Sequence, residues 1–357
     1  MDVLADFWHG RRVFLTGHTG FKGSWMTLWL HAMGARVFGY ALDPPAGAPL
    51  FTMLGLERVI AADTRADVRA GDELLRALRS AQPQVVFHFA AQPLVRASFL
   101  QPVETFEINA IGTAHLLEAV RQITSVRAVV VITSDKCYGG DPGEHGHRED
   151  DCLGGRDPYS ASKACAELVA AAYRASFLEG RPPELTVALA TARAGNVIGG
   201  GDWALDRLVP DCVRAIGQGQ PVILRYPRAI RPWQHVLEPL RGYLMLAQRL
   251  AADGAPFAEA WNFGPDACSH VSVDTLAHGL VERFGTGSVL HQEERGTREA
   301  GRLVLDITKA RSHLGWAPRW DLAQTLDATV SWYQASSSGE DIRRLSLAQI
   351  DRYMGAA

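Results

Sequence analysis

Apolar residues follow two rhythms along the chain. In the first half they form short, nearly continuous runs: RRVFLT (11–16), ARVFGYAL (35–42), QVVFHFA (84–90), VRAVVVIT (126–133) and LTVALATA (185–192). Such runs suit strands buried on both faces, as in a parallel sheet. Longer stretches with helical spacing lie between them, at 21–33, 71–81, 102–122 and 159–178. The alternation predicts an α/β fold built on a doubly wound parallel sheet.

After about residue 193 the pattern changes. Gly and Pro become denser, in VIGGGDW and RYPRAIRPWQ, and helices at 204–218, 236–252, 272–285 and 322–336 are interspersed with short strands. This reads as a smaller mixed α/β lobe for substrate. The expected division is a nucleotide-binding domain over 1–193 and a partly interleaved lobe over 194–357. Ligands in such folds bind beyond the carboxyl ends of the strands.

Composition narrows the possible functions. The net charge of −3, with no concentrated basic run, disfavours nucleic acid as a partner. Charged or small residues interrupt each apolar stretch, so no membrane span is expected. MDVLADFWHGRR lacks the basic-then-apolar order of a secretory signal. Five dispersed cysteines without CxxC point to reduced thiols in a cytoplasmic protein, and to no metal site. Cys137 reads as a buried filler or, less simply, as a reactive thiol.

Two stretches carry chemistry. The first strand runs into T-G-H-T-G-F-K-G and then a helix, placing Gly17, His18, Gly20, Phe21, Lys22 and Gly23 at a strand-to-helix turn. Glycines there permit a tight turn and close approach of a phosphate, and the helix N-terminus supplies N–H donors. The spacing GxxGxxG in this context predicts a Rossmann-like dinucleotide site. Asp43 follows the second strand and either suits an adenosine ribose, which favours NAD over NADP, or is a loop acid before Pro44 and Pro45. Asp67 and Val68 follow a third strand and can flank the adenine or form a plain turn.

The second stretch is YSASK. Tyr159 and Lys163 share one helix face, and a nearby ammonium lowers a phenol from its usual value of about 10. Tyr159 can then take a proton from a substrate hydroxyl as hydride leaves the same carbon. Upstream, TSDKCY (133–138) sets Asp135 beside Lys136 at the end of a buried strand, either as a proton-transfer pair or as a structural ion pair.

GHTGFKG, HFAAQ, TSDK, YSASK and RPWQHV together resemble the extended short-chain dehydrogenase/reductase family, whose members act on sugar nucleotides. The resemblance extends to the late segment EAGRLVLDITKARSHLGWAP. It implies NAD as cofactor and 4,6-dehydration of a nucleotide-activated hexose, CDP-D-glucose, with Asp135 as acid and Lys136 at the base position. Relatives usually carry Glu where this chain has Lys136, and a lysine must be neutral to accept a proton. Ser134 can bond the sugar 4-oxygen. The resemblance further implies that Ala90 and Ala91 leave room for the cofactor, and that helices 102–122 and 159–178 form a homodimeric four-helix bundle.

Gln92 and Arg96 either face the site or are loop polars. Asn109 either faces inward, ordering the active-site strands, or faces solvent. Asn196, Arg207 and Arg231 are candidates for the diphosphate, with a surface ion pair open for Arg207. Trp203 and Trp233 can stack on a ligand or simply pack. A 4-epimerase and a non-catalytic NAD-binding regulator are the alternative functions.

Overall fold

A computed structural model describes residues 3–355 other than 46, 48, 181, 183, 184 and 293–301. The first three residues of the late segment noted above, 299–301, therefore lie outside the described residues. The central sheet has seven strands: β1 (Arg12–Thr16), β2 (Arg36–Ala41), β3 (Ala62–Arg65), β4 (Val85–His88), β5 (Ala128–Ile132), β6 (Ala188–Ala194) and β7 (Ala260–Phe263). Their order is β3-β2-β1-β4-β5-β6-β7, and every pairing is parallel. The chain reverses its direction of travel across the sheet between β1 and β4, the crevice where such folds bind ligands.

Strand pleating separates two apolar layers. Val13 and Leu15 face one, with Trp25, Leu28, Leu240 and Leu244 from helices Phe21–Ala32 and Leu237–Asp253. Phe14 and Val129 face the other, where helices Gly71–Ala81, Gly112–Arg121 and Pro158–Tyr173 pack. Burial on both faces explains the unbroken apolar runs.

The predicted helix at 102–122 forms with an irregularity: the α-helical turns of Pro102–Phe106 and Gly112–Arg121 are joined by a π-helical stretch, Glu107–Ile111. Such stretches recur at functional sites, and Asn109 sits inside this one. Past residue 193, three two-stranded pairings form, 197–198 with 234–235, 230–232 with 270–272, and 222–224 with 289–291. This part of the chain also returns to the main sheet, giving it β7 and the helix Leu237–Asp253. Helix Ile342–Gly355, which the apolar pattern did not predict, docks through Tyr353. Its hydroxyl donates to Glu238 Oε2 at 2.6 Å, and its ring meets Trp29 and Trp320 edge-on.

Candidate active site

The glycine loop bridges β1 and helix Phe21–Ala32. Gly17 has φ +73°, and a Cβ there would lie 2.7 Å from the backbone nitrogen of Ala90. A Cβ on Gly23 would lie 2.1 Å from the Gly17 carbonyl oxygen. Both positions require glycine. The cradle they leave at a helix N-terminus fits a dinucleotide pyrophosphate. His18 turns away from it: the buried imidazole lies against Gly39 and Phe51 and its Nε2 meets Asp63 at 2.9 Å. Burial holds its pKa below the usual histidine range. Phe21 is half-buried and approaches Gly199.

Lys22 leans over the Tyr243 ring, with Nζ 5.9 Å from the centroid. Burial, reinforced by Arg207 and Lys163, pushes its pKa down to about 7. Asp43 is exposed just past β2, open to a ribose. Asp67 is engaged by Arg69, at 2.6 Å from its Nη2, which holds the carboxyl below its usual pKa; Val68 is buried beneath Gly112. Ala90 and Ala91 follow β4 and are half-buried.

Asn109 faces inward, where its amide is engaged at both ends. Oδ1 accepts from the Gln92 backbone at 2.9 Å, and Nδ2 donates to Ser162 Oγ at 2.8 Å. The residue thus braces the loop after β4 against helix Pro158–Tyr173. Gln92 spends its side chain on Leu94 and Thr105.

At the end of β5, Ser134 caps the short turn Asp135–Cys137 by accepting from the Lys136 N–H at 3.2 Å. Ser134 Oγ donates to Asp135 Oδ1 at 3.1 Å, while Asp135 Oδ2 is buried without a partner. Neither oxygen is taken by Lys136, so the two neighbours do not form the structural ion pair. Burial pushes the Asp135 pKa up, against the pull of Lys136, Ser134, Arg231 and Lys22. A carboxyl held toward its neutral form suits a proton donor.

Asp157 caps helix Pro158–Tyr173 by accepting from Ser160 N at 2.9 Å, and this fixes Tyr159 and Lys163 on the buried face. Burial drives the Tyr159 pKa up to about 12. The lowering influences are Ser134 and Arg207; Lys163 instead donates to the Ile132 carbonyl at 3.3 Å. The expected activation of Tyr159 by the Lys163 ammonium is therefore not what dominates here. Burial also lowers Lys163, to about 8.

In the second lobe, Arg231 is buried and faces Asp135 electrostatically. Arg207 is half-buried, 3.0 Å from Asp202, and electrostatically coupled to Tyr159. Arg96 is exposed and meets Asp206 at 2.9 Å; Asn196 is half-buried, its carbonyl paired with Gln234 N. Trp233 packs in the core and donates to Val271, while Trp203 stands edge-on to Tyr333. Cys137 is buried and its thiol pKa is raised by burial, which fits a filler.

Two features escaped the sequence reading. Glu167, one turn beyond Lys163, is buried. It accepts from the hydroxyls of Thr133 and Thr191 and pairs with Arg193 at 2.9 Å. Its signal was a third polar residue at four-residue spacing on the Tyr159–Lys163 face. Tyr243, deep in helix Leu237–Asp253, offered no signal beyond that of a core aromatic.

Among the described residues no cluster of metal-ligating side chains forms, and no helix is long and apolar enough to cross a membrane. Residues 14–329 match the family described as GDP-mannose 4,6 dehydratase. A CDP-glucose 4,6-dehydratase from Salmonella typhimurium is 50% identical over 356 residues, 99% of each chain. A dTDP-glucose 4,6-dehydratase from Streptomyces griseus is 33% identical over 74% of this chain and 75% of its own. Among solved structures, a dTDP-glucose 4,6-dehydratase double mutant from Streptomyces venezuelae, with NAD bound, superposes with TM-score 0.77 at 25% identity. That match covers 92% of this chain and 99% of the other.

Proposed function

The chain belongs to the family described as GDP-mannose 4,6 dehydratase, and on that premise we propose that it converts CDP-D-glucose to CDP-4-keto-6-deoxy-D-glucose with bound NAD. One observation carries the dehydratase reading. Asp135 is a buried carboxyl held toward its neutral form, hydrogen-bonded to Ser134 and acting electrostatically on Tyr159. A 4-epimerase has no hydroxyl to expel and needs no such acid. A non-catalytic regulator has no use for it either. The cytidine nucleotide rests on the extent of likeness to the Salmonella enzyme.

The glycine-loop backbone at Gly17, Gly20 and Gly23 would hold the NAD pyrophosphate, Asp43 the adenosine ribose, and Lys163 the nicotinamide side. Bound NAD would supply the hydride chemistry, as acceptor at C4 and donor at C6. Tyr159 removes the 4-hydroxyl proton, and Ser134 steadies that oxygen. The C4 ketone acidifies C5. Lys136, half-buried and outside any ion pair with Asp135, takes the C5 proton as Asp135 protonates the departing 6-hydroxyl. Arg207, Arg231 and Asn196 hold the diphosphate.

The domain division near residue 193 and a cytoplasmic, homodimeric protein complete the proposal. Val103, Ile111, Leu168 and Phe177 are exposed apolar residues on the segments expected to form the four-helix bundle, which supports pairing there.

The test is incubation with CDP-glucose, dTDP-glucose, UDP-glucose and GDP-mannose, each with and without added NAD, and mass spectrometry for loss of one water. Dehydration of CDP-glucose alone is expected. Dehydration of a different sugar nucleotide would overturn the specificity, and none at all with NAD bound would overturn the dehydratase reading.

A further inference from the structure

Three buried polar atoms near the catalytic turn have no hydrogen-bond partner: Asp135 Oδ2, the Tyr243 hydroxyl and Gln234 Oε1. Their residues are 4%, 0% and 1% exposed. An unmade hydrogen bond at such depth is costly, so orphaned buried groups usually mark an ordered water or a ligand. Shared neighbours connect their residues. The Tyr243 ring meets Phe263 edge-on at 5.5 Å, and Gln234 Nε2 donates to the Phe263 carbonyl at 2.9 Å. Gln234 N bonds the Asn196 carbonyl, and a Cβ on neighbouring Gly195 would lie 3.3 Å from Asp135 Oδ2. Asp135 and Tyr159 act on the Tyr243 phenol, and Lys22 lies over its ring.

We propose that one buried water sits among these atoms, accepting from the Tyr243 hydroxyl and donating to Asp135 Oδ2 and Gln234 Oε1, so that Tyr243 positions the acid of the elimination step. With the acid proton of Asp135 carried on Oδ1, the water balances: two protons for two acceptors, Oδ2 among them, and one lone pair for one donor. Phe89, 5.9 Å from the Tyr243 ring, and Phe263 pack against the phenol ring. As Asp135 gives its proton to the departing hydroxyl, it becomes a carboxylate in a buried place. A donor already oriented at Oδ2 stabilises that product without reorganisation.

This role rests on the dehydratase reading, whereas the water does not. The groups facing Asp135 are Lys136, Ser134 and the Cys137 thiol on its own turn, Lys22 from the glycine-loop helix and Arg231 from strand Ile230–Pro232, with Tyr159 and Tyr243 from the two flanking helices. Losing the Tyr243 donor leaves those charges unchanged and removes one bond to the carboxylate.

The experiment pairs crystallography with kinetics on the holoenzyme and Tyr243→Phe. The wild-type crystal should show a water within about 3.2 Å of both Asp135 Oδ2 and the Tyr243 hydroxyl, and the variant should lose it. In the variant kcat should fall about ten- to a hundred-fold with little change in KM. Its alkaline limb should move to higher pH, because the acid form of Asp135 persists further. The first reduction of bound NAD in a single turnover should keep its rate, and the melting temperature should barely move. A dry cavity in the wild type overturns the inference. So does a variant whose pH profile is unshifted, or one slowed equally in NAD reduction, since packing alone explains either. Should no sugar nucleotide be dehydrated while the water is seen, the proposed function fails and the water stands.

Discussion

Two polar clusters lie within a few residues of each other at the end of β5, and they are built in opposite ways. The one around Glu167 is nearly saturated. Glu167 holds Thr133, Thr191 and Arg193, and Arg193 reaches Tyr138 at 2.7 Å and the Glu149 carbonyl at 3.0 Å. Tyr138 in turn donates to Asn262 Oδ1 at 2.6 Å; of these side chains only Arg193 keeps a buried unpaired atom, Nε. The cluster around Asp135 is equally buried but under-satisfied, with Asp135 Oδ2 and the Tyr243 hydroxyl unpaired and Lys22 and Lys163 pushed down in pKa by burial. A saturated network fixes geometry; an unsatisfied one is poised to bind and exchange protons. Thr133 belongs to the first cluster and Ser134 to the second, so the rigid one anchors the reactive one.

Substitutions can pull the two clusters apart. The largest effects belong to the reactive one. Tyr159→Phe should lower turnover by about 10²–10⁴, with no reduction of bound NAD in stopped-flow absorbance. Lys136→Ala should cost a similar factor but at a later step: bound NAD becomes reduced and dehydrated product is not released. Normal turnover by that variant would remove Lys136 as the essential base. Neither change should shift the urea midpoint appreciably, because neither breaks a buried ion pair.

Next in size is the anchoring cluster. Arg193→Met strands the buried Glu167 carboxylate and should destabilise the fold by about 3–5 kcal/mol, read from urea unfolding. Adding Glu167→Leu should recover part of that loss. If Arg193→Met instead left stability intact and changed only the pH profile, the division between anchor and reactive centre would be wrong.

The smallest effect concerns Lys22. Its folded pKa, about 7, lies below the ordinary lysine value. The unfolded chain therefore binds the proton more tightly, and ligand-free stability should fall as pH drops from about 10.5 to about 7. Lys22→Met should flatten that slope and raise stability at pH 7, checked by melting curves across that range.

Much of this was legible in the chain, and for definite reasons. Strands β1, β2, β4, β5 and β6 announced themselves because burial on both faces leaves no polar alternation to confuse. The glycine loop was legible because Gly17 and Gly23 sit where any Cβ would strike backbone. Strand β7 was not, since AWNF is four residues long and far in sequence from β6, whose Ala192 it meets at Trp261. Helix Ile342–Gly355 has a weak apolar stripe and is held by single anchors such as Tyr353. Within the site, Asp135, Lys136, Tyr159 and Lys163 were visible because charge at a strand end or on a buried helix face is rare. The coupling of Tyr243 to Asp135 was not, because it depends on a tertiary crossing between a distant helix and the turn.

The account stands most directly on the fate of one hydrogen. CDP-glucose carrying deuterium at C4 should be turned over and its product examined by NMR and mass spectrometry. The account predicts deuterium recovered at C6, with a solvent hydrogen at C5. Deuterium retained at C4, or lost to solvent without reaching C6, would contradict it.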